Sequence, residues 1–427
     1  MIALPSKYYL VINDRFELFF RGVIMKHNPY QYYVKAECKK GYTYNRYFTY
    51  TPEPGEEGEY ELTINVIDDD GTIIESKSTI LVVNNIEAPY KKMNVLCVGD
   101  SETVNGVWPY TGYKKFVDVF PDSLNFIGKM HKEEVGYEGY GGWQWKTFCE
   151  YEDESRTSSV WVTCNHHLTE ADQHSTWKNN DLEWIVETIE ENRIKFKRGE
   201  GNCHKVNPEL KEEFTHVAHA EHKDAIKVIK YEYSDANPFW NPEKKDIDFK
   251  YYIKKNNLAE PDLLITFLTG NGLYIPYHND FPVHREYATK FLRQFHNDFP
   301  NALIGVMGVE LPCCNGGVTA CYGASGYYHD WYGDTITKFN YDKWLESFTK
   351  LDEFKDYMIY FDTKSQFDSE YSYPVELQKV NNRSEIVERL GVNGLHPSID
   401  GYKQIGDAFY RLLVEIIKKA NKINSEK

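Results

Sequence analysis

The stretch Val95-Leu96-Cys97-Val98-Gly99-Asp100-Ser101 decides the fold of this chain. A short apolar run that ends at a glycine predicts a buried parallel strand followed by a tight turn. A serine directly after such a strand lies at the carboxyl edge of the sheet, where open α/β sheets bind their ligands. Far downstream, the block Asn393-Gly394-Leu395-His396-Pro397 precedes a strongly amphipathic final segment. A strand-end serine and a late histidine together suggest a nucleophile and its base.

From Met93 onward, strand patterns alternate with helix patterns. Strands are predicted at 95–98, 263–268, 303–309 and 357–361, and helices at 285–297, 341–354 and 399–421. The last helix carries its apolar residues on one face, as a helix that packs on a core does. Strands that alternate with helices predict an α/β fold with a parallel sheet covered on both sides.

The first 88 residues have the pattern of an all-β domain. Tyr60, Leu62, Ile64 and Val66 alternate with polar residues, as in a half-buried strand, and Asp70-Gly71 then offers a hairpin turn. Short strands separated by turn signals predict a small sandwich of immunoglobulin-like type. We therefore expect two domains, 1–88 and 89–427, with a β-rich insertion at 151–235 in the second.

The composition indicates a globular protein and excludes some partners. Of the 427 residues, 41% are hydrophobic and 27% are charged, and the net charge is -16. A chain this acidic is a poor partner for nucleic acid or for an anionic membrane. No apolar run approaches the ~18 residues of a membrane span, and no signal peptide is visible at the start. We expect a soluble protein that is not inserted in a membrane, with an extracellular or virion-associated location favoured over a cytoplasmic one.

The cysteines and histidines indicate neither a disulfide framework nor a metal centre. The 8 cysteines have no regular spacing, so free thiols are expected. The set Cys164, His166, His167, Cys203 and His204 matches no zinc pattern. The chain also lacks a phosphate-binding glycine loop and a dinucleotide fingerprint. The sequence predicts no cofactor and no metal, and it leaves the oligomeric state open.

A serine nucleophile requires a base within hydrogen-bond reach and donors for the oxyanion. The glycine-rich stretch Gly139-Tyr140-Gly141-Gly142-Trp143 can bring backbone N–H groups close to a ligand. Asn271 follows the predicted strand at 263–268, so its side chain is expected at the same sheet edge as Ser101. His396 is the candidate base.

With these blocks in this order, residues 93–421 resemble the SGNH (GDSL-type) hydrolase family. The resemblance implies a flavodoxin-like three-layer α/β/α fold and the hydrolysis of esters, including acetyl esters on carbohydrates. It implies Ser101 as the nucleophile and His396 as the base. The N–H groups of Ser101 and Gly142 and the side-chain amide of Asn271 would be the oxyanion donors. The stretches Phe126-Ile127-Gly128 and Asn237-Pro238-Phe239-Trp240 also resemble the family's bacterial and phage members, which have a β-rich N-terminal domain.

Two positions depart from the family's pattern. The acid that follows the asparagine in the family is Gly272 here, and the acid three residues before the histidine is Asn393. An amide cannot balance the charge of an imidazolium, and the equivalent change in a serine protease costs about 10⁴ in turnover. Three explanations stay open. A main-chain carbonyl orients His396, as in similar esterases with a Ser-His dyad; another acid, Asp334 or Glu310, reaches it; or the enzyme is weak or inactive.

Aromatic residues near the blocks are candidates for sugar contacts. The long irregular stretch 311–333 carries Tyr327, Tyr328 and Trp331, and exposed aromatics on a long loop indicate a binding surface. Trp143, beside the glycine-rich turn, is a candidate for core packing or for substrate contact.

These observations lead to three hypotheses about function. The first is a serine esterase that hydrolyses O-acyl esters, with O-acetyl favoured, on a carbohydrate through an acyl-enzyme. The second is a non-catalytic glycan-binding or virion tail protein on a degenerate hydrolase fold, which Asn393 motivates. The third is a lipase or thioesterase, ranked last because the sequence shows no apolar lid helix to shelter a long chain.

Overall fold

The computed structural model describes most of the chain, and all structural statements refer to that part. The described residues are 1–26, 28–150, 159–164, 168–169, 172–180, 182–190, 193–198, 210–218, 225–233, 237–268, 271, 273, 281–314 and 331–426. They form two compact units. The first comprises Met1–Gln144, Asn257–Arg285 and Phe299–Lys427, and the second comprises Trp145–Asn256 and Glu286–Asp298. No helix within the described ranges is long and apolar enough to cross a membrane.

The N-terminal part of the first unit consists of two sheets around one core. Its strands are β1 (Lys7–Val11), β2 (Phe16–Phe19), β3 (Tyr33–Cys38), β4 (Tyr42–Thr43), β5 (Tyr47–Tyr50), β6 (Gly58–Ile67) and β7 (Ile73–Asn84). One sheet has the order β1-β7-β6-β3 and the other β2-β5-β4. Side chains of both sheets, such as Leu10, Phe16, Phe48 and Leu62, share one buried cluster. The predicted strands and the β6–β7 hairpin are confirmed, while the immunoglobulin-like type stays a prediction.

The remaining elements follow in chain order. The strands are β8 (Met93–Gly99), β9 (Leu124–Ile127), β10 (Met130–Lys132), β11 (Val135–Gly139), β12 (Ser159–Cys164), β13 (Thr176–Asn179), β14 (Leu182–Glu190), β15 (Arg193–Arg198), β16 (Glu213–His216), β17 (Ile226–Tyr233), β18 (Trp240–Asn241), β19 (Asp246–Ile247), β20 (Leu263–Phe267), β21 (Leu303–Met307), β22 (Met358–Phe361), β23 (Val375–Lys379) and β24 (Val387–Gly391). The α-helices are α1 (Val107–Val117), α2 (Trp145–Cys149), α3 (Phe249–Lys255), α4 (Pro282–Asp298), α5 (Trp331–Thr349) and α6 (Ile399–Ser425).

The central sheet of the first unit has the order β10-β11-β8-β20-β21-β22, with β9 beside β8. Apart from the antiparallel pair β10–β11, its neighbouring strands are parallel. Gly99 at the end of β8 is level with Gly139 of β11 and Phe267 of β20. The predicted mixed α/β fold with a parallel sheet is therefore confirmed, and the carboxyl ends of β8, β11 and β20 lie at one edge. The three-layer SGNH arrangement stays a prediction.

Helices α1 and α6 pack against each other and contribute to the core of this sheet. The ring of Trp108 in α1 contacts the rings of Phe267 in β20 and Phe409 in α6 edge-on. All members of the predicted apolar face of α6 are buried: Ile405, Phe409, Leu412, Leu413, Ile416 and Ile417. The prediction of α6 is confirmed. The prediction of a helix at 341–354 is wrong in its bounds, because α5 begins within the aromatic stretch that was expected to be a loop.

The second unit contains a closed barrel with the strand order β12-β15-β14-β13-β16-β17. Its core is apolar and includes Val160, Trp177, Trp184, Phe196 and Phe214. All six strands of the barrel lie within the β-rich insertion that the sequence predicts at 151–235. Strands β13 and β16 were not predicted, since each has only four residues and alternates with polar side chains.

Candidate active site

Ser101 lies in a tight turn directly after β8. The N–H of Thr103 donates to the carbonyl of Asp100 over 3.0 Å, and the N–H of Glu102 donates to Asp100 Oδ1 over 3.1 Å. A Cβ on Gly99 would lie 2.0 Å from Thr103 Oγ1, so only glycine permits the turn to fold back this closely. Ser101 remains half-buried, and its side chain is therefore accessible to a substrate.

The glycine-rich turn after β11 lies beside Ser101. The N–H of Tyr140 donates to the carbonyl of Gly99 over 3.1 Å, and a Cβ on Gly141 would lie 4.0 Å from the Cβ of Ser101. Gly142 has a φ of +79°, which L side chains rarely adopt, and it is exposed. Among the described residues, neither the N–H of Ser101 nor that of Gly142 has a hydrogen-bond partner. Two backbone donors are thus present beside the serine.

Asn271 connects the end of β20 to both turns. Its Nδ2 lies 3.2 Å from Asp100 Oδ2 and 3.0 Å from the carbonyl oxygen of Trp143. The side-chain amide is therefore at the sheet edge where the sequence places it. Both of these contacts use its hydrogens, so a bound oxyanion would have to compete with an acceptor of the protein. Its neighbours Thr269, Gly270 and Gly272 lie outside the described residues.

The histidine block is held by Asn393 and by the segment after β21. Asn393 Oδ1 accepts hydrogen bonds from the N–H groups of Leu395, over 2.9 Å, and of His396, over 2.8 Å. The N–H of Cys313 donates to the carbonyl of Gly394 over 3.1 Å. The side chain of His396 is 30% exposed, and its Nε2 lies 3.9 Å from Glu102 Oε1. The base candidate is thus beside the residue that follows the nucleophile candidate.

Glu102 is a site residue that the sequence analysis missed. It is fully buried, and its Oε2 accepts a hydrogen bond from the hydroxyl of Tyr402 over 2.9 Å. Among the described residues, its Oε1 has no hydrogen-bond partner. Burial, and then the negative charges of Glu310 and Asp100, raise the pKa of Glu102 well above its usual range. The sequence does carry one signal for Glu102: it is an acidic residue directly after Ser101, in a turn that follows a buried strand.

Of the two acids that the sequence offered for His396, only Glu310 has a described side chain. Glu310 is fully buried and forms an ion pair with Lys338, with an Nζ to Oε1 distance of 2.5 Å. Burial raises the pKa of Glu310, and the charge of Lys338 opposes that shift. Glu310 therefore has its own cationic partner. The side chain of Asp334 lies outside the described residues.

The aromatic candidates for substrate contact are described only in part. The side chain of Trp143 is 6% exposed and stacks on Tyr140 with a centroid distance of 4.4 Å. Its ring is therefore packed, and little of it is available to a sugar. Tyr327 and Tyr328 lie outside the described residues, as does the side chain of Trp331 at the start of α5.

The described part of the chain shows neither a candidate metal centre nor a disulfide. Within those ranges, no group of His, Cys, Asp or Glu side chains could hold a metal ion. The described cysteines are free: Cys38, Cys97, Cys149, Cys164, Cys313 and Cys314.

Comparison with known proteins gives similarity at the structural level only. No family model and no curated protein sequence matches the chain. A solved structure of a peptidoglycan O-acetylesterase is 11% identical with a TM-score of 0.34, covering 77% of this chain and 92% of that one. A protein titled a possible lipase from Chitinophaga pinensis is 11% identical with a TM-score of 0.35, covering 76% of this chain and 98% of that one. Bacteroides ovatus SGBP-B in complex with a mixed-linkage heptasaccharide is 10% identical with a TM-score of 0.15, covering 53% and 44%. Similarities at this level are too weak to carry a conclusion about function.

Proposed function

We propose that this protein is a serine esterase that hydrolyses O-acyl esters, O-acetyl esters in the first place, on a carbohydrate. The observation that carries the proposal is the meeting of separate sequence blocks at one sheet edge. Asn271 contacts both Asp100 and Trp143, and His396 lies beside Glu102. Open α/β sheets bind their ligands at this edge. The carbohydrate part of the proposal rests on the resemblance of the motifs to the SGNH family.

In the proposed reaction, Ser101 Oγ attacks the acyl carbonyl carbon while its proton passes to the imidazole of His396. The resulting tetrahedral oxyanion collapses, the ester C–O bond breaks, and the leaving alkoxide takes the proton from His396. A water molecule then attacks the acyl-enzyme and gives a proton to His396. The second collapse releases the carboxylic acid and returns the proton to Ser101. No redox step and no cofactor is required by this sequence of events.

The oxyanion of each tetrahedral intermediate would be held by the N–H groups of Ser101 and Gly142 and by the amide of Asn271. The two backbone groups have no other partner among the described residues, so they can donate without breaking a protein hydrogen bond. Donors fixed in advance stabilise the charge that develops in the transition state more than water does, because they need not reorganise.

A second candidate function is glycan binding without turnover, and the observation that favours it is Asn393. Its Oδ1 accepts the N–H groups of Leu395 and His396, so it shapes the loop and brings no negative charge to the imidazole. A protein of this kind would bind its glycan equally well with and without the hydroxyl of Ser101.

A serine-directed organophosphonate distinguishes the two candidates. The full chain and its Ser101→Ala variant are treated with the reagent, and the adduct is located by mass spectrometry of the peptides. The esterase proposal predicts a single phosphonylated residue, Ser101, and no adduct in the variant. A buried or inert serine does not react, so an unlabelled Ser101 under conditions that inactivate known serine esterases contradicts the proposal.

A further inference from the structure

We infer that Glu102 supplies the carboxylate that orients His396, in the role that an aspartate three residues before the histidine has in the resembled family. The inference rests on the proposed function, since it assigns a positioning residue to the same site. Glu102 would touch neither the substrate nor the reacting atoms, and it would act through the imidazole.

The first argument is geometric. Glu102 Oε1 lies 3.9 Å from His396 Nε2 and has no hydrogen-bond partner in the described part of the chain, although the residue is fully buried. A buried carboxylate oxygen without a partner is costly, because burial removes it from water and nothing in the protein replaces that water. The distance is too long for a hydrogen bond, but catalytic hydrogen bonds are often long before substrate binds and shorten in the complex. His396 is the ring that can satisfy this oxygen.

The second argument is that the carboxyl group of Glu102 is fixed from its other side. The hydroxyl of Tyr402, in the first turns of α6, donates to Oε2 over 2.9 Å. Residues 100–104 form the turn that carries the backbone of Glu102. Since one oxygen is held by Tyr402 and the backbone by the turn, the second oxygen has a defined direction, which is toward the imidazole.

The third argument concerns charge. Among the described residues, the groups with the largest electrostatic effect on Glu102 are Asp100 in its own turn, Glu310 after β21, Lys338 in α5 and Tyr402 in α6. The single cation among them, Lys338, is in an ion pair with Glu310. Burial and the neighbouring acids therefore disfavour the anion of Glu102, in keeping with its raised pKa, until a protonated His396 is beside it. The imidazolium that forms when Ser101 is deprotonated supplies that cation, so the pair becomes more favourable as the reaction proceeds.

The consequence for His396 is a fixed tautomer. A neutral imidazole carries one proton, and a carboxylate beside one ring nitrogen holds the proton there. The opposite ring nitrogen is then the acceptor for the proton of Ser101. Asn393 retains the task of shaping the loop, which its two backbone hydrogen bonds already perform.

The test uses the full chain with Glu102→Gln, which keeps an acceptor for Tyr402 and removes the charge. Hydrolysis of p-nitrophenyl acetate is measured beside Ser101→Ala and His396→Ala. We expect kcat to fall by about 10²-fold to 10⁴-fold in Glu102→Gln with KM nearly unchanged. Adding Asn393→Asp to Glu102→Gln places a carboxylate at the family's position and is expected to restore part of kcat.

A readout that does not depend on activity is the NMR titration of His396. Loss of a neighbouring carboxylate is expected to lower the pKa of the imidazole by about one unit in Glu102→Gln. If that variant does not fold, Tyr402→Phe tests the same contact, and it is expected to lower kcat by about tenfold and to shift the same titration.

The outcomes separate this inference from the proposed function. The inference is overturned, while the esterase proposal stands, if three results are found together. Ser101→Ala and His396→Ala are inactive, Glu102→Gln keeps the wild-type kcat, and the pKa of His396 is the same in Glu102→Gln as in the wild type. A Ser101→Ala variant as active as the wild type overturns the esterase. In that case only the NMR titration tests whether Glu102 and His396 form a pair. A pKa of His396 that is the same in Glu102→Gln as in the wild type shows that they do not.

Discussion

In the proposed mechanism, stability and catalysis make opposite demands on Asn271. Its amide donates to Asp100 and to the carbonyl of Trp143, contacts that tie the end of β20 to the two turns. As an oxyanion donor, the same amide must also be directed at the substrate. If the transition-state contact is real, removal of the side chain should reduce turnover far more than it reduces stability.

We predict that Asn271→Ala lowers kcat for p-nitrophenyl acetate by about 10²-fold to 10³-fold, the usual effect of losing one oxyanion donor. Steady-state kinetics and a thermal unfolding curve are measured on the same preparation. The matched control is Asn125→Ala in β9, whose amide donates to Asn94 over 2.8 Å outside the proposed site. Equal kcat values in the two variants would remove Asn271 from the oxyanion hole.

Among the candidate site residues, the sequence identifies those that directly follow a predicted strand. Ser101 and Asn271 each follow a predicted strand, so strand prediction is enough to bring them to one edge, whereas strand β11 before Gly142 was not predicted. Glu102 could not be found in this way, because its burial and its hydrogen bond depend on Tyr402, 300 residues later in the chain. The hydrogen bond between Tyr402 and Glu102 becomes visible only when α6 is packed against the turn at residues 100–104.

Two glycines determine how closely α1 and α6 approach each other. A Cβ on Gly406 of α6 would lie 2.4 Å from the Cβ of Thr111 and 3.0 Å from the carbonyl oxygen of Trp108. A Cβ on Gly112 of α1 would lie 2.3 Å from the ring of Phe409. These helices share the core cluster with the sheet, so a wider separation would disturb packing under the site.

We predict that Gly406→Ala destabilises the protein by about 1–2 kcal/mol. Alanine favours a helix interior by about 1 kcal/mol over glycine, but overpacking against fixed atoms typically costs about 1–3 kcal/mol. One of the contacted atoms is the backbone oxygen of Trp108, which cannot move aside as a flexible side chain can. The free-energy cost of the clash should therefore exceed the gain in helix propensity. Urea denaturation provides the measurement, with Lys403→Ala as the control on the exposed face of α6. A Gly406→Ala variant more stable than the wild type would contradict this account of the helix contact.

Elements with strong periodicity are the ones that the sequence predicts well. The apolar face of α6 and the apolar run of β8 repeat a clear pattern, and both are where they were expected. Helix α1 was not predicted, because Pro109 and Gly112 lie within it and weaken the helical signal. Proline is tolerated in the first turn of a helix, and the glycine is required by the contact with α6.

The N-terminal sheets and the central sheet belong to the same compact unit, and buried polar contacts join them. Arg411 of α6 is only 4% exposed. Its Nε donates a hydrogen bond to Asp14 over 2.7 Å, and its Nη1 donates one to Gln366 over 2.9 Å. The hydroxyl of Tyr8 in β1 lies 2.9 Å from Ser365 Oγ. These contacts hold the N-terminal sheets and the central sheet together within one compact unit, and the division into domains 1–88 and 89–427 stays a prediction.

A buried ionic cluster beneath this junction makes stability depend on pH. Lys364 lies between Asp342, 2.5 Å from its Nζ, and Asp362. Burial raises the pKa of Asp342 from 3.8 to about 7; Lys364 opposes that shift and Asp362 adds to it. The folded protein thus binds this proton more tightly than the unfolded chain does. The contribution of Asp342 to stability is therefore greatest at low pH and is lost as the pH rises through about 4 to 7.

We predict that the difference in Tm between the wild type and Asp342→Asn changes across this range. The wild type should lose stability relative to the variant as the pH is raised from about 4 to about 8, because only the wild type must release the proton. Asp352→Asn, at a carboxylate that is 96% exposed, serves as the control and should give a constant difference. A difference for Asp342→Asn that stays constant or grows with pH would contradict the assignment.

The central claim is that Ser101 and His396 act together as nucleophile and base, and acetate release tests it most directly. Acetate from p-nitrophenyl acetate is quantified for the wild type, Ser101→Ala and His396→Ala, each shown to be folded. The account predicts turnover by the wild type and a loss of at least about 10³-fold in both variants. Wild-type acetate release that persists unchanged in Ser101→Ala would contradict it.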